Sequence, residues 1–397
     1  MNYPFGTSAS RGVVSKLLSV GYEAVFVGGA VRDLLLGKEA SDIDIATSAT
    51  PEEVKEVFPN TVDVGIQHGT VLVLYEGEPI EVTTYRTEGT YSDHRRPDEV
   101  TFVRSLEEDL KRRDFTMNAM ALSLDGRLID PFGGKQDIDN RLIRAVGAAE
   151  ERFKEDALRM FRAIRFSSVL GFAIEDSTCG AIGLLAKEIE HIAAERLKAE
   201  WDKLFLGKEP TKAFEYIRET GIGAHLPAYP ETFRAASCMQ GPFQASLEGW
   251  ATLMMAGDLE PLQLARAYKM SNAEKTFLRS IHAVLQTREA QFYSNIDYYR
   301  WGEQVLLAAE AIYQCLHPDN PFLGPDEIRE KIAALPIRSK QELAVTGTDL
   351  LAWSKSKGGR WVGEWLDTIE RAVILGDCRN DSEEIKGWFL YEFTRQR

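Results

Sequence analysis

Hydrophobic positions change period along the chain. Over the first 150 residues, short apolar or alternating runs recur: "EAVFVGG" (23–29), "DIDIAT" (42–47), "TVLVLYEG" (70–77), "EPIEVTTYR" (78–86) and "EVTFVRS" (99–105). Such runs predict strands. Between them, "AVRDLLLG" reads as a helix opened by Gly28 and Gly29 and closed by Gly37, and "TPEEVKEVF" as one with a Thr N-cap and Pro at its first position. Beyond residue 150 the strand pattern fades and helical spacing takes over, in "ERFKEDALRMFRAIRFSSVLGF", "GAIGLLAKEIEHI", "ERLKAEWDKLF" and "TKAFEYIRET". Proline and glycine cluster near 207–210, at "LPAYPE", at "HPDNPFLGPDE" and at "LPIRSK", which mark candidate joints. The expectation is an α+β protein: a mixed-sheet head followed by all-helical segments.

Composition narrows the class. At 397 residues the chain is too long for one ordinary core. Its 44% hydrophobic and 27% charged content is that of a folded soluble protein. No apolar run spans a bilayer and the N-terminus lacks a secretory pattern, so a cytoplasmic protein is expected. The four cysteines, far apart in sequence, have no metal-ligand spacing and predict buried free thiols rather than a disulfide scaffold. The net charge of −14 weighs against a polyanionic partner, yet residues 141–166 carry seven basic side chains against four acidic ones. A local basic path is therefore compatible with the acidic total.

The chemistry concentrates in "FVGGAVRDLLLGKEASDIDIA" (26–46). Residues two apart in a strand share a face, so Asp42 and Asp44 project together while Ile43 and Ile45 turn to the core. Two adjacent carboxylates repel unless a cation lies between them, and hard oxygen ligands suit magnesium, which completes its shell with waters and substrate phosphates. Gly28 and Gly29 offer backbone N–H groups where a triphosphate could approach.

GGxxRD followed by DxD resembles the nucleotidyltransferase superfamily that includes DNA polymerase β, and more narrowly its tRNA nucleotidyltransferase and bacterial poly(A) polymerase branch. The resemblance implies a polymerase-β-like head in which Asp42, Asp44 and a third carboxylate, Glu81, are catalytic, with Asp42 and Asp44 holding Mg2+ and Gly28, Gly29 and Arg32 on the nucleotide. "RRDFTMNAMAL" (112–122) resembles the ribose motif, with Arg113 and Asp114 at the sugar hydroxyls and Asn118 in support. "DPFGGKQD" (130–137) is similar to a head-to-neck coupling motif and reads equally well as a tight turn.

"EDALR" (155–159) is similar to the motif that selects the base. On one helix, Asp156 and Arg159 would be neighbours, and the nearby Arg162 joins the nucleotide-binding set. An aspartate accepting from an amino group beside an arginine donating to ring acceptors fits cytosine and adenine, whereas uracil and guanine turn a carbonyl toward the carboxylate. A Glu155–Arg159 surface pair is the plain structural alternative.

"TEGTYSDHRRPDEVTF" resembles the family's flexible loop, with Asp93, Arg95 and Arg96 as its candidate residues. "AAERLKAEW" resembles a bracing motif, making Glu195, Arg196 and Glu200 structural. Lys355, Lys357 and Arg360, around Gly358 and Gly359, are candidate RNA contacts.

Taken over nearly the whole chain, the resemblance is to class II CCA-adding enzymes of the Bacillus-like type. It implies a catalytic head (1–150), a base-recognising neck (151–207), a body (208–320) and a tRNA-binding tail (321–397), with tRNA, CTP and ATP as partners and neither membrane nor DNA. A-adding enzymes and poly(A) polymerases share the motif set. A noncatalytic RNA-binding module would be marked by loss of a carboxylate, and all three are present.

Overall fold

The structure is a computed structural model that describes residues 5–39, 42–64, 69–88, 100–233, 236–241 and 243–395. Two compact units emerge: Met1–Glu231 with Met239–Gly249 and Ala267–Lys269, and Thr232–Cys238 with Trp250–Arg266 and Met270–Arg397.

The first unit opens with α1 (Ser8–Ser19), β1 (Ala24–Val27), α2 (Gly29–Leu35), β2 (Asp44–Thr47), α3 (Pro51–Val57), β3 (Thr61–Asp63), β4 (Thr70–Tyr75) and β5 (Glu78–Thr84). A hairpin-like pair, β6 (Arg86–Glu88) and β7 (Val100–Phe102), precedes α4 (Leu106–Lys111), β8 (Ala121–Leu122) and β9 (Leu128–Ile129). Seven strands form one sheet in the order β3-β4-β5-β2-β1-β8-β9. Only β2 and β5 run parallel; the other neighbours are antiparallel, so the sheet is mixed. β1 is apolar throughout and buried throughout, because both faces of this central strand are covered. On one side Val25 and Val27 pack with Ala46, Tyr85, Leu110 and Ala121; on the other, Phe26 meets Phe5 edge-on at 5.1 Å.

Helices dominate thereafter: α5 (Gly134–Asp139), the short strand β10 (Leu142–Ile143), α6 (Ala149–Glu155), α7 (Leu158–Leu170), β11 (Ala173–Ile174, parallel to β10), α8 (Asp176–Leu184), α9 (Ala194–Phe205) and α10 (Pro210–Thr220). The expected mixed head and helical continuation are both present. α1, β3 and the two-residue strands were not legible in the pattern, being weakly periodic or too short. Trp201 on α9 is fully buried, stacked on Phe205, tilted against Phe161 and Phe214, and hydrogen-bonded through Nε1 to the Tyr268 hydroxyl at 3.1 Å. That donor bond is what permits an indole in an otherwise apolar cluster.

The "DPFGGKQD" segment is a turn with a packing task. Asp130 accepts from the Gly134 and Lys135 amides, and a Cβ at Gly134 would stand 2.2 Å from the Thr116 carbonyl oxygen. The α5 backbone thereby lies directly against the ribose-motif loop, and buried Asp137 ties Thr116 to Arg144.

The second unit contains α11 (Ser246–Ala256, which begins in the first unit), α12 (Pro261–Ala267), α13 (Asn272–Ala290), α14 (Asn295–Leu316), α15 (Pro325–Ala333), α16 (Gly347–Ser354), α17 (Trp361–Leu375) and α18 (Ser382–Arg395). It corrects one expectation. Cys238 and Cys315, 77 residues apart, form a disulfide across a Cα separation of 5.3 Å, while Cys179 and Cys378 are free. Sequence spacing reports only local ligand sets, and this pairing is made by tertiary packing. Among the described residues no helix is long and apolar enough to cross a membrane.

Trp201→Ala should cost about 3–5 kcal/mol of stability, as for other buried large-to-small changes. Equilibrium urea unfolding followed by far-ultraviolet circular dichroism checks this.

Candidate active site

Where β1 ends, the chain turns through Gly28 at φ 73°, ψ −139°, and enters α2. Only glycine adopts that conformation without strain. A Cβ there would also stand 3.1 Å from the Arg113 guanidinium and 3.6 Å from Asp44, so Gly28 keeps open the space between a cation and a carboxylate. Asp44 begins β2, and the parallel register that pairs Ile45 with Val82 sets Glu81 beside it when continued by one residue. Asp42 is displaced from its expected place: it lies in a bend ahead of β2 and is exposed, so the two aspartates are not alternate positions of one strand. The backbone enters the sheet only at Asp44. Burial, then the charges of Glu81 and Asp42, push the Asp44 carboxyl above its ordinary value, and Arg113 only partly opposes them. A cation would relieve that repulsion. Among the described residues no three His, Cys, Asp or Glu side chains are gathered into a ready-made cage. Exposed hard oxygens that leave room for water and phosphate fit a catalytic divalent ion better than a structural one.

A cleft of about 390 Å³ runs from these residues toward α7 and α9. All nine residues expected at the nucleotide line it: Gly28, Gly29 and Arg32 near the strand end, Arg113, Asp114 and Asn118 from the "RRDFTMNAMAL" segment, and Asp156, Arg159 and Arg162 from the end of α6 and from α7. Asp44 lines it as well; Asp42 and Glu81 do not.

The ribose motif is held by a chain of charged hydrogen bonds. Arg32 donates to Asn118 Oδ1 at 2.8 Å, and Asn118 Nδ2 donates to Asp114 Oδ1 at 3.0 Å. Asp114 Oδ2 accepts from Arg162 Nε and Nη2 at 2.9 and 2.6 Å. Burial alone would raise the Asp114 carboxyl, but Arg162 and Asn118 bring it down to about 2. Arg162 also faces Glu200 at 3.6 Å, and Glu200 accepts from Arg165 Nε at 2.7 Å. Arg113 is tied to buried Asp109 at 3.3 Å, and its own Nε is a buried donor with no acceptor among the described residues. An anionic or hydroxylic ligand in the cleft would satisfy it.

"EDALR" is not one helical turn: Asp156, at φ −140° and ψ 103°, ends α6 outside helical geometry, and α7 restarts at Leu158. Its Oδ1 accepts from the Leu158 amide at 3.1 Å, an N-cap-like bond that competes with helix continuation. Asp156 pairs not with Arg159 but with Arg196 of α9, at 2.7 and 3.3 Å. Arg159 pairs with Glu155 at 2.6 Å and donates to the Arg112 carbonyl at 3.0 Å. The Glu155–Arg159 bridge is thus real, and it fixes Arg159 in the cleft wall instead of excluding it.

Sequence reading named Arg196 as a structural brace without placing it in the cleft wall, which it lines, and missed Arg112, Phe166 and the anchoring Asp109. Two signals were available: the i,i+4 spacing of Arg196 and Glu200 on α9, and Asp109 three and four residues before Arg112 and Arg113. Asp93, Arg95 and Arg96 lie outside the described residues. Lys355, Lys357 and Arg360 are exposed in the loop between α16 and α17, in the second unit, where Arg360 pairs with Glu364 at 3.0 Å.

Comparison with known proteins identifies the family. Family models match in three stretches: the poly A polymerase head domain over residues 24–144, a probable RNA- and SrmB-binding site of polymerase A over 171–232, and a putative tRNA nucleotidyltransferase domain 2 over 242–389. The CCA-adding enzyme of Geobacillus kaustophilus is 46% identical, with 98% of both chains covered. The chain belongs to the CCA-adding enzymes. The Geobacillus stearothermophilus enzyme is 45% identical over 100% of this chain and 99% of its own. A crystal structure of the Bacillus stearothermophilus CCA-adding enzyme in complex with CTP superposes with a TM-score of 0.88 at 40% identity, covering 100% of this chain and 99% of that one. Membership in this nucleotidyltransferase family implies use of a divalent metal.

The acid response of Asp114 follows from its environment. Its carboxyl is lower in the folded chain (about 2) than its ordinary value of 3.8, so its contribution is complete above the unfolded pKa and is lost as pH falls through the folded one. The stability difference between the wild type and Asp114→Asn should stay constant above about pH 5 and shrink by about 2 kcal/mol by pH 2. Urea midpoints measured at several pH values check this.

Proposed function

We propose that the protein adds C, C and A in turn to the 3′ end of tRNA, from CTP and ATP, without a nucleic-acid template and with release of pyrophosphate. What carries this reading is the convergence, in one cleft, of a carboxylate beside a glycine turn, a ribose motif and the Asp156 and Arg159 pair. The last two residues supply an acceptor and a donor suited to cytosine and adenine, with Arg196 orienting the first and Glu155 the second. Arg113, Asp114 and Asn118 are assigned to the sugar, and Gly28, Gly29 and Arg32 to the triphosphate.

The divalent metal is taken to be magnesium, two ions of which Asp42 and Asp44 would hold with Glu81 adjacent. When bound it supplies charge neutralisation at the α-phosphate and a more acidic attacking 3′-hydroxyl. The chain's own contribution is positioning: the ribose and base groups fix the nucleotide, and the fixed dipoles of the cleft need no reorganisation during transfer.

CTP bound to the Bacillus stearothermophilus relative supports CTP here, and the full-length likeness to CCA-adding enzymes favours this reading over an A-only enzyme or a poly(A) polymerase. Head (1–150), neck (151–207), body (208–320) and tail (321–397) are the proposed division. Asp93, Arg95 and Arg96 are assigned to the loop that assists A addition, and Lys355, Lys357 and Arg360 to RNA phosphate. Free ribonucleotides and tRNA are cytoplasmic substrates, which is where we locate the reaction.

The deciding experiment supplies magnesium, labelled nucleotides and tRNAs ending at the discriminator base, at C or at CC. Each should be completed to CCA and no further; addition of A alone to the CC-ending tRNA, or long A tails on unrelated RNA, would overturn the reading. Asp42→Ala should lower incorporation of both nucleotides roughly 100-fold or more, with tRNA binding by filter retention little changed. Arg159→Ala should erode base choice, seen as UTP incorporation that the wild type does not perform.

A further inference from the structure

In the second unit, a groove of about 470 Å³ lies between the start of α12, one face of α13 and Trp301 of α14. Its chemistry differs from that of the nucleotide cleft. Trp301 is half-buried, with the Arg300 guanidinium 5.9 Å from its ring centroid. Directly after it, Gly302 takes φ 70° and ψ 175° and interrupts α14, so the indole sits at a break in the helix instead of in a continuous packed face. Opposite, α13 contributes Arg279, His282 and the hydroxyls of Thr276 and Ser280. Lys275, Arg279 and His282 stand at i, i+4 and i+7, a basic stripe along one helix face. Neither Arg279 nor Arg300 has an ion-pair partner among the described residues, and Glu260 is the one acidic side chain in the groove wall.

We propose that this groove is an RNA subsite that takes one unpaired nucleotide, its base stacked on Trp301 and its flanking phosphates on Arg279 and Arg300. Uncompensated arginines in a chain of net charge −14 mark a local surface suited to a polyanion, and an aromatic ring flanked by guanidinium and hydroxyl donors is the chemistry of single-stranded nucleotide recognition. The subsite rests on the proposed tRNA substrate, and it concerns affinity for the RNA, not nucleotide choice.

The test uses the full chain, a tRNA transcript lacking CCA, and CTP. Trp301→Ala should weaken tRNA binding roughly tenfold and Trp301→Phe much less, because stacking needs a ring. Arg279→Gln, at an exposed position that leaves the fold intact, should weaken binding and lower the slope of log affinity against log salt by about one. Both changes should raise KM for tRNA rather than KM for CTP. Wild-type tRNA affinity and salt slope in Trp301→Ala and Arg279→Gln, with CCA addition proceeding, would overturn the subsite alone and would also be the result if the groove takes a protein. A wild-type protein that transfers nucleotides to no tRNA would overturn the functional reading and the subsite with it.

Discussion

The buried ion-pair chain from Asp114 through Arg162 and Glu200 to Arg165 is the constraint on which the site depends. Each of these carboxylates is less than a tenth exposed, and a buried charge is tolerated only when paired and hydrogen-bonded. Glu200 stands between two arginines, so the position of Asp114 is fixed through Arg162 from α9, a helix that itself is anchored by Trp201 in an aromatic cluster. Core packing and the placement of Asp114 in the cleft are therefore parts of one arrangement.

The same helix reaches the Asp156 side of the cleft. Arg196, one turn before Glu200, grips Asp156 with both terminal nitrogens, and Asp156 is available for that grip because the helix breaks there. Two residues on one helical face thus orient Asp156 directly and Asp114 through Arg162. Asp44 stands apart from these pairs: its carboxyl is raised by burial and by Glu81 and Asp42. That local excess of negative charge is where a divalent ion fits.

The second unit lacks this density of buried charge. Its internal order comes from apolar helix contacts, one disulfide between Cys238 and Cys315, and the deeply buried Arg288–Glu310 pair at 2.6 Å. Its surface carries Arg279 and Arg300 with no ion-pair partner among the described residues, as suits a surface that meets a polyanion through phosphates and a stacked base.

Much of the site was legible in the residues themselves. Strand alternation and glycine placement located the β1–α2 turn, and the order of GGxxRD, DxD, the ribose motif and EDALR named nine residues that the fold gathers into one cleft. Local sequence determines those features because strand period, turn conformation and side-chain chemistry are properties of neighbouring residues. Tertiary structure alone decided that Asp42 precedes its strand, that Asp156 leaves the helix and pairs with Arg196 instead of Arg159, and that Cys238 meets Cys315. Each of those outcomes is a competition between local preference and a partner many residues away, and periodicity carries no information about such a partner.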